Sequence, residues 1–289
     1  MDTHDAGGWP RDDAGGTVDL TAVWAALAER RPLILCITNR VTTQRVADLL
    51  LAAGASPVMA DNPHEVAQMA AIASGVYLNT GLHETQPASL DAAAVAFETS
   101  AVTRVLDPVG IGATAYRTGV IGNLVRRVRF DAIRGNAAEI TALSGAGTGT
   151  RGVDAGAGDT AEGALAAAAG IARERDTVVA VSGETDVITD GTRVARVGGG
   201  HPWLARITGT GCALGALVTA CVAASDPWAG TVTAHAALSL ATDRAMRQAS
   251  GPGTLSVYLL DALTALRPED FAGADVRVGT IDRAGAAGD

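Results

Sequence analysis

The chain has no lysine. All 22 of its basic residues are arginine. That absence excludes a Walker-A phosphate lysine, a pyridoxal Schiff base and a lysine general base. Any bound phosphate must therefore be held by arginine and backbone N–H groups. Aromatic residues are scarce as well, at 3% of the chain against 48% hydrophobic residues in all, so the core must be built from Ala, Val, Leu and Ile. Positive charge is in deficit: 31 acidic residues against 22 basic leave a net charge of −9, which argues against nucleic acid or an anionic membrane as partner. The three cysteines, Cys36, Cys212 and Cys221, are too irregularly spaced for a metal knuckle, and their odd number argues against a disulfide framework. No apolar run is long enough to span a membrane. The N-terminal stretch lacks the basic and apolar regions of a signal peptide, so a cytoplasmic protein is expected.

What is present is an alternation of short β-branched runs with longer Ala/Leu-rich runs. Strands are expected at Leu33–Ile37, Ser56–Met59, Val76–Leu78, Thr103–Leu106, Ala132–Arg134 and Thr177–Val181. A hairpin pair, Val187–Thr189 and Thr192–Val197, turns at Asp190-Gly191. Helices fill 43–53, 64–73, 87–98, 116–128, 136–144 and 160–174, then 211–224, 228–249 and 254–265. This pattern predicts an α/β fold with a mostly parallel central sheet and helices on both faces. A single domain over 19–273 is expected, with flexible tails at 1–18 and 274–289. Ligands of such sheets bind beyond the carboxyl ends of the strands.

The segment Thr208-Gly209-Thr210-Gly211-Cys212 runs directly into an apolar helical stretch. Gly209, Thr210 and Gly211 have the composition of an anion hole, because glycines let successive N–H groups converge at a helix N-terminus. Cys212 stands at its mouth, where the helix dipole can lower a thiol pKa, or it is a small residue fitted to a tight turn. Cys36 and Cys221 lie in apolar runs and read as core. Asp107, before Pro108, reads either as a residue that serves Mg²⁺ or as a turn cap. Glu139 reads either as a metal-side acid or, with Asn136, as a capping box; Arg134-Gly135 is left for function. Ser182-Gly183 ends a strand as a nucleotide contact or a plain turn. A dinucleotide fingerprint is incomplete at both Gly145-Ala146-Gly147 and Gly209-Thr210-Gly211.

Taken in order, several motifs resemble the hydroxyethylthiazole kinase family of the ribokinase-like superfamily over about residues 32–265. They are Ile37-Thr38-Asn39, Gly54-Ala55-Ser56-Pro57-Val58-Met59, Asp107 through Thr114, Ile133 through Ile140, Gly152-Val153-Asp154-Ala155, Thr208 through Leu214 and Gly251-Pro252-Gly253. The resemblance implies a three-layer ribokinase-like fold. It also implies ATP-dependent phosphorylation of 4-methyl-5-(2-hydroxyethyl)thiazole towards thiamine, Mg²⁺, and a homotrimer with active sites between subunits. Carried over by motif, Met59 and Gly209 contact the thiazole and Asn39 lies in the substrate region. Arg134 and Ser182 contact ATP, Asp107 and Glu139 serve the metal through water, and Cys212 sits beside the acceptor hydroxyl as a modest proton acceptor or as a spacer. Arg40, Arg45, Asp48, Leu82 and His83 depart from the family pattern on the acceptor side. A ribokinase-like kinase of another small heteroaromatic alcohol, of the hydroxymethylpyrimidine type, is the alternative. A nicotinamide-hydrate lyase and a non-catalytic thiazole binder are weaker rivals, the lyase because Cys212 stands where such enzymes favour Asp.

Overall fold

The structure is a computed structural model that describes residues 17–145 and 160–281. The terminal tails up to residue 16 and from 282, together with Gly152-Val153-Asp154-Ala155, lie outside the described residues. One nine-stranded sheet organises the chain, in the order β2 (Ser56–Val58), β1 (Leu33–Ile37), β3 (Gly75–Asn79), β4 (Thr103–Asp107), β5 (Ala132–Asn136), β6 (Val178–Ser182), β7 (Asp186–Thr189), β8 (Arg193–Val197) and β9 (Val276–Thr280). The first six strands in this order are parallel, and β7, β8 and β9 run antiparallel to their neighbours. Strand order reverses at β1, between β2 and β3, which marks a topological switch point.

The parallel strands are apolar on both faces because both are covered; β3 is buried along its whole length. One face carries α1 (Leu20–Arg30), α2 (Thr43–Ala52), α8 (Thr210–Ala224), α9 (Pro227–Met246) and α10 (Pro252–Thr264). The other carries α3 (Val66–Ile72), α4 (Gln86–Ala96), α5 (Ala115–Arg127), α6 (Ala137–Leu143) and α7 (Leu165–Arg175). The three-layer α/β/α expectation is met. Cys36 and Cys221 are buried core residues. Helix α8 is apolar on every side because it lies between the sheet and α9.

Three differences from the sequence reading have physical causes. Helix α1 was not anticipated, although Leu20, Val23, Trp24 and Leu27 repeat at helical spacing and are all buried. The Asp19 side chain caps it by accepting from Ala22 N at 2.9 Å. The expected tail from 274 is corrected: Val276–Thr280 is an edge strand paired with β8, Val278 opposite Ala195. Its alternation is too short to announce itself, and the exposed ladder of β8 recruits it. Finally, β4 and β5 extend further than expected, which puts Asp107 opposite Asn79 and Asn136 opposite Ser182. The polar strand ends therefore stand level, in one row.

Candidate functional site

The row is held together by hydrogen bonds at the carboxyl ends of β1, β3, β4, β5 and β6. Asn39, just beyond β1, donates through Nδ2 to Asn79 Oδ1 at 3.2 Å and to Cys212 Sγ at 3.5 Å. Asn79 donates in turn to Tyr77 Oη at 3.0 Å and to Asp107 Oδ2 at 3.1 Å. The Tyr77 hydroxyl donates to the same Asp107 oxygen at 2.8 Å. Arg134 Nη1 lies 3.8 Å from Asp107 Oδ2, and Nη2 donates to Ser182 Oγ at 2.5 Å. A continuous polar chain thus runs from Cys212 to Ser182 beneath the N-terminus of α8.

Asp107 is the centre of this chain. It is 1% exposed, and its Oδ1 is buried without a hydrogen-bond partner among the described residues. Desolvation pushes its pKa up to about 6; Glu139 adds to the rise, while Arg134 and the Tyr77 and Asn79 hydrogen bonds oppose it. Burial opposes the charge on Arg134, but Asp107 and Asp186 hold its pKa above the ordinary value. Tyr77 is fully buried, and burial with the Asp107 charge raises its phenol pKa well above the usual range. An orphaned carboxylate oxygen beside a buried guanidinium is suited to a cation or a cation-bound water on one side and to phosphate on the other.

Glu139 does what the capping reading says and more. Its Oε2 accepts from Asn136 N at 2.9 Å, and Asn136 Oδ1 accepts from Glu139 N at 2.9 Å, completing the box. Its Oε1 accepts from Gly110 N at 3.0 Å, so it also ties down the loop that follows Asp107. Arg117 braces that loop from below. It donates to Thr80 O and Gly81 O at 3.0 Å each and to Val109 O at 3.3 Å, joining the exits of β3 and β4.

The glycine turn has the predicted form with one adjustment. Gly209 has φ +84° and precedes α8; a Cβ there would lie 2.8 Å from Thr42 Cγ2, so the turn abuts the segment after Asn39. The N–H of Thr210 points back to Ile207 O at 3.4 Å. Those of Gly211 and Cys212 have no acceptor among the described residues, so they are the free donors of the helix start. Cys212 corrects the expectation of a lowered thiol pKa. Burial raises it, and Asp107 reinforces the rise, against hydrogen bonds from Thr42 and Asn79 and the charge of Arg134. The helix dipole is outweighed by desolvation and a neighbouring carboxylate.

The remaining positions lie at the periphery. Met59 follows β2 and packs against the apolar cluster on the α8 face, outside the hydrogen-bonded chain. Arg45 is turned to α10, where it donates to Ser256 Oγ and to Ser256 O at 3.4 Å, so its charge is engaged. Leu82 adopts φ +52°, held by Gln86, which bonds Leu82 N and Asn79 O. His83 pairs with Asp61 at 3.1 Å. Sequence reasoning missed Tyr77, Arg117, Asp186 and His235. Tyr77 carried no clear local signal, since a lone phenol inside an apolar strand reads as core.

No helix among the described residues is long and apolar enough to cross a membrane. Comparison with known proteins agrees with the geometry. The model of the hydroxyethylthiazole kinase family matches residues 24–269. A protein of Clavibacter sepedonicus named hydroxyethylthiazole kinase is 46% identical over 256 residues, covering 88% of this chain and 92% of its own length. One of the same name from Kineococcus radiotolerans is 44% identical over 249 residues, 86% of this chain and 90% of its own. The solved hydroxyethylthiazole kinase of Pyrococcus horikoshii is 36% identical, with a TM-score of 0.81 over 90% of this chain and 98% of its own. At 12% identity and a TM-score of 0.59, a ribokinase-like superfamily protein of Enterococcus faecalis shares the fold over 86% of this chain and 94% of its own. The chain belongs to the hydroxyethylthiazole kinase family.

Proposed function

We propose that this chain phosphorylates the hydroxyethyl group of 4-methyl-5-(2-hydroxyethyl)thiazole with ATP, a step in thiamine biosynthesis and salvage. The observation that carries the reading is the polar row from Cys212 through Asn39, Asn79, Tyr77 and Asp107 to Arg134 and Ser182, in a chain of this family. The row gives the site two ends. Ser182 and Arg134 form the nucleotide end, where the buried guanidinium attracts the polyphosphate. Met59, Gly209, Asn39 and Cys212 form the alcohol end. Between them, the free N–H groups of Gly211 and Cys212 receive the migrating phosphoryl group, so the anion hole expected at Gly209, Thr210 and Gly211 moves one residue along, because the Thr210 N–H is taken up by Ile207 O.

The donor set fits a magnesium ion held through water. Among the described residues no three His, Cys, Asp or Glu side chains form a protein-only cage. Mg²⁺ at such sites keeps waters and binds through one or two carboxylates plus substrate phosphates. Asp107 Oδ1 is the unpaired oxygen available for this, with Glu139 one loop away. When bound, the ion would neutralise charge on the phosphate oxygens. The protein's own part is positioning and electrostatic stabilisation, which phosphoryl transfer mainly needs.

With its thiol pKa raised, Cys212 stays protonated near neutral pH and acts as a spacer beside the alcohol. Cys212→Ala and Cys212→Ser are expected to keep turnover within about tenfold of the unaltered chain, since a lost general base costs about 10²–10⁴. Single-turnover rates check this; a loss of about 10² or more assigns proton transfer to the thiol.

The site is further proposed to work in a cytoplasmic homotrimer, with neighbouring chains closing the alcohol end. Val41, Leu51 and Val257 leave apolar surface on the side of α2 and α10 for such contacts. Sedimentation at three times the 29.0 kDa chain mass is the expected result, and a monomer at micromolar concentration would refute it. The activity itself is tested by ADP release from Mg-ATP with the thiazole alcohol and, in parallel, hydroxymethylpyrimidine. Activity with the pyrimidine alone would transfer the assignment to the alternative kinase of the same fold.

A further inference from the structure

Beneath the nucleotide end lies an ionisable pair that the reaction does not consume, with its histidine buried and its carboxylate partly so. His235, on α9, is 1% exposed, and its Nδ1 lies 2.6 Å from Asp186 Oδ2. Asp186 opens β7, and its Oδ1 accepts from Gly183 N at 2.9 Å. Burial alone would raise the Asp186 pKa, but His235, Gly183 and Arg134 together hold it below the ordinary value. Asp186 is therefore a carboxylate, an acceptor only, and His235 Nδ1 must be the donor. His235 Nε2 is buried without a partner among the described residues. A buried imidazole with one nitrogen unsatisfied is a costly way to fill a helix interface, which an aliphatic residue would fill better.

What the pair holds is the turn between β6 and β7. Asp186 closes residues 183–186 on themselves through Gly183 N. Gly183 has no slack, because a Cβ there would lie 2.9 Å from Ala161 Cβ. The residue before it, Ser182, receives the Arg134 guanidinium at 2.5 Å. The links run in series: His235 to Asp186 and Asp186 to Gly183 by hydrogen bonds, Gly183 to Ser182 by the peptide bond, and Ser182 to Arg134 by a hydrogen bond. Helix α9 also reaches the exit of β8, where Ser239 Oγ donates to Gly198 O at 2.6 Å and Asp243 Oδ1 accepts from Gly200 N at 3.1 Å; His235 is the residue that ties it to β7 and the turn beside Ser182.

We infer that the His235–Asp186 pair is a positioning device for the nucleotide end: it fixes the Ser182-Gly183 turn, and through Ser182 the Arg134 guanidinium, where the donor's polyphosphate is received. The inference rests on the reading of Arg134 and Ser182 as nucleotide contacts. A device of this kind acts on one substrate. Loosening it lets the guanidinium rotate away from the phosphates, while the alcohol end stays anchored by Asn39 and Asn79 at the far side of the row. The effect therefore falls on nucleotide affinity and leaves the alcohol unaffected.

The test uses the full chain with three variants. His235→Leu removes the donor. His235→Asn restores an N–H near the position of Nδ1. Asp186→Asn keeps an oxygen for Gly183 N and removes the charge. His235→Leu and Asp186→Asn are expected to raise KM for ATP at least tenfold, with KM for the alcohol within about twofold, and His235→Asn to recover most of the ATP affinity. Equilibrium titration with Mg-ADP reads the same quantity without turnover. If His235→Leu fails to fold, Asp186→Asn carries the comparison. Equal Mg-ADP affinity in the unaltered chain and Asp186→Asn overturns the inference, as does a parallel rise of both KM values. An unaltered chain that binds no Mg-ADP overturns the underlying reading of the nucleotide end.

Discussion

Asp107→Asn should nearly abolish phosphoryl transfer and, in metal-free buffer at pH 8, make the protein more stable. The loss of activity follows from the orphaned Oδ1, the one buried carboxylate oxygen of the row without a partner among the described residues. Asparagine can place its carbonyl oxygen where Oδ2 stands, to accept from Tyr77 and Asn79, with its amide in the Oδ1 position. Packing is kept while the negative charge is lost, and a fall in turnover of about 10³ is expected for such a group. The gain in stability has the opposite origin. The folded-state pKa of Asp107 is raised from 3.8 to about 6, so ionising it disfavours the folded chain. The penalty is absent below the unfolded pKa, grows as pH rises between the two values, and is complete above the folded one. Its size is about 3 kcal/mol, from roughly 1.4 kcal/mol per pKa unit. The attraction of Arg134, 3.8 Å away, is already contained in that raised value. Thermal unfolding with chelator should show a midpoint several degrees higher than that of the unaltered chain at pH 8, and no difference near pH 4. A midpoint lowered at pH 8 would mean that the Asp107 charge stabilises the fold through Arg134 and that desolvation does not dominate at this carboxylate. Such a trade of stability for a charged site is common where function needs an unsatisfied group.

How far the sequence disclosed this site can be judged from those same residues. Asp107, Arg134 and Ser182 were legible because each stands at the end of a strand run, and the topology of a parallel sheet sends such residues to one edge; Glu139 was legible through its capping box with Asn136. The glycine turn was legible because Gly209 and Gly211 precede an unbroken apolar run. Electrostatic consequences were less accessible. Cys212 at a helix start suggests a lowered thiol pKa, yet burial and Asp107 win, and neither is visible until β4 is placed beside α8. Tyr77 was hidden because a phenol inside a strand looks like core, and its hydroxyl finds Asp107 only through the register that sets Asn79 opposite Asp107. Asp186 and His235 are separated by 49 residues, so no local spacing connects them. The edge strand β9 was lost for a related reason: a five-residue alternation near a chain end has meaning only once β8 offers a ladder.

The second large effect is expected at Gly211, where the fold tolerates a change that the site does not. Gly211 stands in the first turn of α8, where alanine is the better helix former by up to about 1 kcal/mol. Its backbone requires no left-handed conformation, since only Gly209 in this turn has a positive φ. By local propensity, Gly211→Ala should therefore be neutral or stabilising. The obstacle is one contact: the new Cβ would lie 2.9 Å from Arg134 Nη1 and 3.2 Å from Nη2. Those atoms end a flexible side chain, so the fold accommodates the methyl group by moving the guanidinium. That movement is what the site cannot absorb. Arg134 is 8% exposed, and its place is set by Ser182 on one side and Asp107 on the other. Displacing it by even a few tenths of an ångström lengthens both contacts, and the methyl group also stands beside the free N–H of Gly211. Turnover is expected to fall by about 10² or more, as when one preorganised donor of a transition state is removed. Thermal unfolding should stay within about 2 °C of the unaltered chain, because a change of 1 kcal/mol moves a chain of this size by only about 2–4 °C. Steady-state kinetics on the folded variant decide the matter. Turnover within twofold of the unaltered chain would show that Arg134 needs no fixed place against α8, and the glycine would then answer only to the helix start.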